Sequence, residues 1–150
     1  MLRVNGEQRS VLKSRAIWAI TIVYWLMLFA ATHAPAQRLP NVPLSDKTEH
    51  LLSYGLLATL LFLAIGQSKP HWPQRGMIVL AIGMMYGAID EWLQALPIVN
   101  RDCDRLDWFA DTTGLAIAAI VLTAIQWQLE ARAARHGRFS DHANSDSSLE

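Results

Sequence analysis

The chain has 150 residues, which fits one domain, and its formal net charge at pH 7 is zero. Apolar residues make up 52% and charged residues 17%, whereas an ordinary soluble domain has about 25% charged residues. Balanced charge gives no reason to expect nucleic acid as a partner, because nucleic-acid binding needs a clustered basic face. The single cysteine, Cys103, excludes an internal disulfide. This composition predicts a small multi-pass membrane protein.

Four apolar segments follow a polar N-terminal flank, residues 1–15. They cover residues 16–31, 47–66, 76–96 and 105–127. About 20 residues cross the hydrocarbon core as a helix, and about 17 is the lower limit, so the first segment nearly spans and the other three span it fully. We therefore predict an all-α membrane domain over residues 16–127, with four transmembrane helices.

The chain continues beyond the fourth apolar segment. Residues 128–150 are polar and then rich in Ser and Asp, so they are predicted to form a disordered tail.

Asp46 is predicted to cap the second helix, with Glu49 three residues later. Asp104 is predicted to cap the fourth helix in the same way, with Asp107 three residues later.

Ala34-Pro35-Ala36 resembles a signal-peptidase site after the first segment. The apolar run before it is longer than the usual h-region of about 7–15 residues. The first helix is therefore expected to be kept.

Positive charge is unevenly distributed among the connecting segments. Nine of the 13 Lys and Arg residues lie in the N-terminal flank, the loop around Pro70 and the early tail. The other four are Arg38, Lys47, Arg101 and Arg105. Because cytoplasmic segments carry the excess of Lys and Arg, both termini are predicted to lie in the cytoplasm, with the protein in the cell membrane.

This orientation brings three polar clusters, residues 46–50, 91–94 and 101–111, to the extracytoplasmic side. Ionisable groups at membrane depth cost about 2.5–3.5 kcal/mol each, so they mark candidate functional sites. Helical spacing places Asp46, His50 and Tyr54 on one face of the second helix. The predicted site has members from three helices and a turn: Lys47, His50, Tyr54, Glu91, Gln94, Arg101, Asp107 and Asp111. Asp90 is interpreted as an interfacial residue and is left out.

Several chemistries suit this set of residues. His50 with Glu91 or Asp107 provides an acid and a base for a membrane hydrolase or transferase acting on a lipid-linked envelope substrate. The same imidazole and carboxylate groups suit a divalent cation as cofactor.

Two further interpretations use the basic residues. Lys47, Arg101 and Arg105, together with two helix N-termini, suit an anionic lipid headgroup. Alternatively, Arg101 and Asp107 form a structural ion pair between the third and fourth helices, and the charges serve assembly.

The polar residues resemble the pattern of the VanZ-like family of small membrane proteins. That family shows Asp-Lys followed by His and Tyr, then a Tyr-Gly…Glu…Gln helix, then Arg before Asp-x-x-Ala-Asn-x-x-Gly. The matching residues are Asp46, Lys47, His50, Tyr54, Tyr86, Gly87, Glu91, Gln94, Arg101, Asp107, Ala110 and Gly114. The chain departs from the pattern at Asp111, where Asn is usual, and at Asn100, where Gly often precedes the Arg.

The resemblance implies a small integral membrane protein, and our leading hypothesis is that it contacts membrane lipids and recognises a cell-envelope component through the predicted site. The family takes its name from a member associated with reduced susceptibility to teicoplanin, so a glycopeptide antibiotic is an alternative to a lipid headgroup. The family has no agreed biochemical activity, and the resemblance therefore leaves the question of catalysis open.

Overall fold

The computed structural model describes residues 6–34, 44–67, 71–96, 99 and 104–147. The regular elements within these ranges are four α-helices: α1 (Gly6–Thr32), α2 (Asp46–Gly66), α3 (Trp72–Gln94) and α4 (Arg105–Ser147). Each contains a stretch that is long and apolar enough to cross a membrane. The predicted all-α fold with four membrane-spanning helices is confirmed, whereas the orientation of the termini stays a prediction.

Three helices extend beyond their predicted limits. α1 begins ten residues earlier, within the polar flank. α3 begins at Trp72 because Pro73 lies in its first turn, where a missing amide hydrogen costs nothing. α4 continues to Ser147, and thus includes most of the segment for which disorder is predicted. Residues 126–135 are mostly Gln, Leu, Glu, Ala and Arg, which favour helix.

The start of α2 corrects one predicted cap. Ser45, not Asp46, is the N-cap, and its side chain accepts a hydrogen bond from the amide of Thr48. Asp46 is instead the first helical residue, where a negative charge still stabilises the positive end of the helix dipole.

α2 lies at the centre of the bundle and contacts each of the other three helices. Its inward side chains, including Tyr54, Leu57 and Leu61, are fully or almost fully buried. The outward faces are apolar as well: Met77 is 71% exposed and Ile120 is 66% exposed. Apolar side chains on both sides of the helices are expected where the outer surface faces lipid.

Close contact between α2 and α4 depends on a glycine in each helix. A Cβ atom added at Gly114 would overlap the carbonyl oxygen of Leu51, which is backbone and cannot rotate away. A Cβ atom at Gly55 would lie 3.5 Å from the carbonyl oxygen of Gly114, an ordinary contact. Gly114 therefore sets how closely the two helices approach each other.

We expect Gly114→Ala to destabilise the protein by about 1–3 kcal/mol, because α2 and α4 must separate to accept the methyl group. Gly55→Ala is the matched control from the same contact. It should leave stability unchanged or raise it by up to about 1 kcal/mol, since alanine favours helix over glycine. Unfolding by sodium dodecyl sulfate in mixed micelles, followed by circular dichroism, measures both. Equal stability of the two variants would contradict this account of the helix contact.

Candidate functional site

The polar residues meet at the end of the bundle where α1 and α3 end and where α2 and α4 begin. The contacts that define this end join Lys47 to Asp104, His50 to Asp111 and Thr32 to Asp90. All four helices thus contribute to one polar region. The described polar residues form an outer ion-pair group around Lys47 and two buried clusters.

The outer group consists of the ion pairs around Lys47. The Lys47 ammonium pairs with the carboxylates of Asp104 and Asp107 on α4 and lies 3.4 Å from Oδ2 of Asp46. These contacts engage Lys47 in holding the starts of α2 and α4 together. The Lys47 ammonium is therefore a poor candidate for binding an anionic headgroup, because such a ligand would compete with several nearby carboxylates.

Asp104 has two structural roles here. Its Oδ1 accepts a hydrogen bond from the amide of Leu106 (2.9 Å), which confirms the predicted cap of α4. Its side-chain hydrogen bond with Lys47 holds the pKa of the carboxyl below its ordinary value of 3.8. Because the pKa of Asp104 is lower in the folded chain than in the unfolded chain, the ion pair with Lys47 stabilises the fold at pH values above 3.8. This stabilisation is lost as the pH falls and the carboxylate becomes protonated.

Asp107 does not complete a capping box with Asp104, contrary to the prediction. Its carboxylate turns to Lys47, while the amide of Asp104 donates to Oε2 of Glu91 on α3 (3.1 Å). In a capping box the acceptor for the Asp104 amide would be Asp107 on the same helix, whereas here it is Glu91 on α3. Glu91 is predicted as a site residue, and the structure gives it this additional role in anchoring the start of α4.

The first buried cluster, here called the His50 cluster, consists of His50, Glu91, Asp107 and Asp111. Nδ1 of His50 lies 2.9 Å from Oδ1 of Asp111, and Nε2 lies 3.8 Å from Oδ2 of Asp107. Asp111 is 1% exposed, and its second oxygen, Oδ2, is buried without a hydrogen-bond partner. One imidazole, whose side chain is 12% exposed, therefore lies between two carboxylates of α4.

Glu91 faces the same imidazole from α3. It is 5% exposed, and the potential ligand atoms of His50, Glu91 and Asp111 all lie within 4.8 Å of one another. A second group with the same spacing, Asp46, His50 and Asp107, lies nearer the surface. Both groups could hold a metal ion, and they share His50.

The second buried cluster, here called the Asp90 cluster, is centred on Asp90, which the sequence predicts to be an interfacial residue outside the site. Oδ1 of Asp90 accepts hydrogen bonds from the hydroxyls of Thr32 (3.1 Å) and Tyr86 (3.2 Å). Oδ2 accepts from the hydroxyl of Tyr54 (3.4 Å) and the amide of Gln94 (3.1 Å). Asp90 is 1% exposed. It is a buried acceptor for three helices, not an interfacial residue.

The Asp90 cluster includes two predicted site residues, Tyr54 and Gln94. The Tyr54 ring stacks between the rings of His50 and Tyr86, and its hydroxyl points to Asp90. Gln94 lies between Asp90 and Glu91, although its contact to Glu91 is long at 3.5 Å. These residues therefore connect the two clusters.

A signal for Asp90 is present in the sequence. Tyr86, Asp90 and Gln94 recur every four residues and so share a face of α3, which separates them from Glu91. The contribution of Thr32 from α1 has no comparable signal, because no spacing within the sequence relates it to α3.

Arg101 lies outside the described residues, as do Asp102 and Cys103. The predicted ion pair between Arg101 and Asp107 therefore falls outside the described residues and stays a prediction. Among the described residues, the cation that pairs with Asp107 most closely is Lys47.

A cleft opens beside His50, between α1 and α2, with a cavity volume of about 80 Å³. Its lining residues are Leu28, Ala31, Thr32, Asp46, Glu49, His50, Ser53 and Tyr54. The α1 side is mainly apolar, whereas the α2 side carries two carboxylates and an imidazole. Asp46 and Glu49, which the sequence suggests are capping residues, thus take part in lining this cleft.

Comparison with protein-family models, with curated proteins and with solved structures finds no match to this chain. The geometry of this polar region is therefore the basis for a proposed function.

We expect Asp90→Asn to destabilise the protein by about 2 kcal/mol, because an amide group has one acceptor oxygen and leaves buried donors without a partner. Tyr86→Phe is the control. It removes one donor and leaves Asp90 three others, so it should cost about 1 kcal/mol. The same micelle unfolding assay compares the two. An Asp90→Asn variant as stable as the native protein would show that Asp90 does not organise this cluster.

Proposed function

We propose that this chain is a VanZ-like integral membrane protein that recognises the headgroup of a cell-envelope lipid at the cleft between α1 and α2. The observation that carries the proposal is the cleft itself, where apolar α1 side chains face the carboxylates of Asp46 and Glu49. A lipid presents the same combination of an apolar chain beside a polar group. The cleft lies at the end of four helices that are apolar enough to span a membrane.

The charge of the cleft favours a headgroup that carries an amine. Asp46 and Glu49 line it together with His50, while Lys47, which lies 3.4 Å from Asp46, pairs more closely with Asp104 and Asp107. An ammonium group donates hydrogen bonds to carboxylates, whereas an anionic headgroup would be repelled by them. We therefore favour an amine-bearing headgroup over the anionic one that the basic residues first suggest.

The volume of the cleft also favours a lipid headgroup over a glycopeptide antibiotic as the ligand. A volume of about 80 Å³ accommodates a small polar group. It is well below the roughly 300–1,000 Å³ of pockets that enclose drug-sized ligands. A glycopeptide would have to bind across the surface, so the cleft supports a lipid headgroup more directly.

The test uses purified protein in nanodiscs that contain phosphatidylethanolamine, phosphatidylglycerol or phosphatidylcholine. Native mass spectrometry after release into detergent measures how much lipid stays bound. We expect preferential retention of phosphatidylethanolamine, whose primary ammonium donates hydrogen bonds. Glu49→Gln should weaken this retention about tenfold, since a hydrogen bond to a charged group contributes about 1.5–3 kcal/mol.

Glu130→Gln is the matched control, because Glu130 lies on the exposed surface of α4 and contacts Gln126. It should leave lipid retention unchanged. Equal retention of the ethanolamine and glycerol lipids, or an unchanged Glu49→Gln variant, would refute recognition at this cleft.

A second candidate function is a hydrolase or transferase that acts on a lipid-linked envelope substrate. The observation that favours it is the orientation of His50, whose Nδ1 is held by Asp111 while Nε2 faces Asp107. An imidazole held by one carboxylate is a common arrangement for a general base.

This alternative predicts release of a water-soluble headgroup from a lipid-linked substrate by the reconstituted protein. His50→Gln should lower the rate by about 100-fold or more, because the general base is lost. Glu130→Gln should retain the full rate. Absence of turnover by folded native protein, with lipid still bound, would instead favour the recognition function.

A further inference from the structure

We propose that His50, Glu91 and Asp111 bind a divalent transition-metal ion between α2, α3 and α4. Each helix supplies one ligand, and the three potential ligand atoms lie within 4.8 Å of one another. This site shares His50 with the lipid cleft, whereas Glu91 and Asp111 do not line that cleft. The proposal stands whether or not the cleft binds a lipid.

The spacing of the ligand atoms fits one ion. Protein nitrogen and oxygen ligands lie about 2.0–2.2 Å from a zinc ion, so two ligands of the same ion are about 3–4 Å apart. Atoms already within 4.8 Å reach that separation by small side-chain rotations.

An unsatisfied atom provides an independent indication of a ligand. Oδ2 of Asp111 is buried and has no hydrogen-bond partner, which is costly for a carboxylate oxygen. It points towards α3, because a Cβ atom at Gly87 would lie 3.5 Å from it. Gly87 and Glu91 are four residues apart and share a face of α3. The unpaired oxygen thus faces the side of α3 that carries the second carboxylate ligand.

Charge balance supports the same assignment. Glu91 and Asp111 are 5% and 1% exposed, and Lys47 pairs with Asp107 and Asp104, not with either of them. Buried charges in proteins are usually paired or bind metals. A divalent cation would neutralise both carboxylates at once.

The ligand types indicate the class of metal. Imidazole favours zinc and its neighbours in the first transition row, whereas carboxylate also suits manganese. One imidazole with two carboxylates therefore fits Zn²⁺ or Mn²⁺ better than Ca²⁺ or Mg²⁺, which prefer sites built of oxygen atoms. Asp107, 3.8 Å from His50 Nε2, is available as a neighbouring carboxylate.

The test uses full-length protein purified in detergent with a tag that lacks histidine. The protein is treated with a chelator and then loaded with Zn²⁺ or Mn²⁺. Elemental analysis after gel filtration should give about one ion per chain, and titration calorimetry should show at least tenfold weaker binding of Mg²⁺. Co²⁺ in place of Zn²⁺ should give a visible absorption spectrum of a protein-bound ion.

Three variants remove one ligand each: His50→Gln, Glu91→Gln and Asp111→Asn. Each should weaken Zn²⁺ affinity by at least tenfold, with circular dichroism to show that the helices remain. Asp46→Asn is the matched control, because it removes a ligand of the alternative metal group Asp46, His50 and Asp107, which shares His50. Glu49→Gln, the lipid variant, should also bind metal normally.

Folded native protein that retains no Zn²⁺ or Mn²⁺ overturns the proposal, and this outcome needs no variant. Loss of binding in Asp46→Asn but not in Glu91→Gln also overturns it, since the ion would then be bound by Asp46, His50 and Asp107. Because metal content is measured without added lipid, failure of this proposal and failure of lipid recognition give different results.

Discussion

Burial of carboxylates at one end of an apolar bundle is the constraint on which the polar region depends. Asp90, Glu91 and Asp111 are each no more than 5% exposed, and an isolated buried charge is strongly unfavourable. The structure meets this cost in different ways. Asp90 accepts four hydrogen bonds, Glu91 accepts a backbone amide from α4, and Asp111 contacts His50. Oδ2 of Asp111 is the exception, and it lies where the metal is proposed.

Length and hydropathy predict the four helices, since an uninterrupted apolar run near 20 residues has few alternatives to a membrane-spanning helix. Their ends are predicted less well, because local rules compete there. Pro73 can close a loop or begin a helix, and the structure has it in the first turn of α3. Ser45 and Asp46 are both good N-cap residues, and Ser45 takes that position.

The candidate site shows a similar limit. Helical spacing correctly groups His50 with Tyr54 and Asp107 with Asp111, because it depends only on residues within one helix. It also sets Tyr86, Asp90 and Gln94 on one face of α3, apart from Glu91, but it does not identify the partners that other helices supply. Thr32 of α1 donates a hydrogen bond to Asp90, and Lys47 of α2 pairs with Asp107. Such contacts arise from packing between helices and leave no periodic signal.

The hydrogen bond from the amide of Asp104 to Glu91 has a consequence for folding. The first amides of a helix have no acceptor within the helix, and here α3 supplies one. This hydrogen bond adds to the Asp104 cap and the Lys47 ion pairs at the first turn of α4, and it forms only when α3 is docked beside that turn. Docking of α3 in turn fixes the Glu91 carboxylate relative to His50 and Asp111. The start of α4 and the buried carboxylate arrangement should thus form, and be lost, as one cooperative unit.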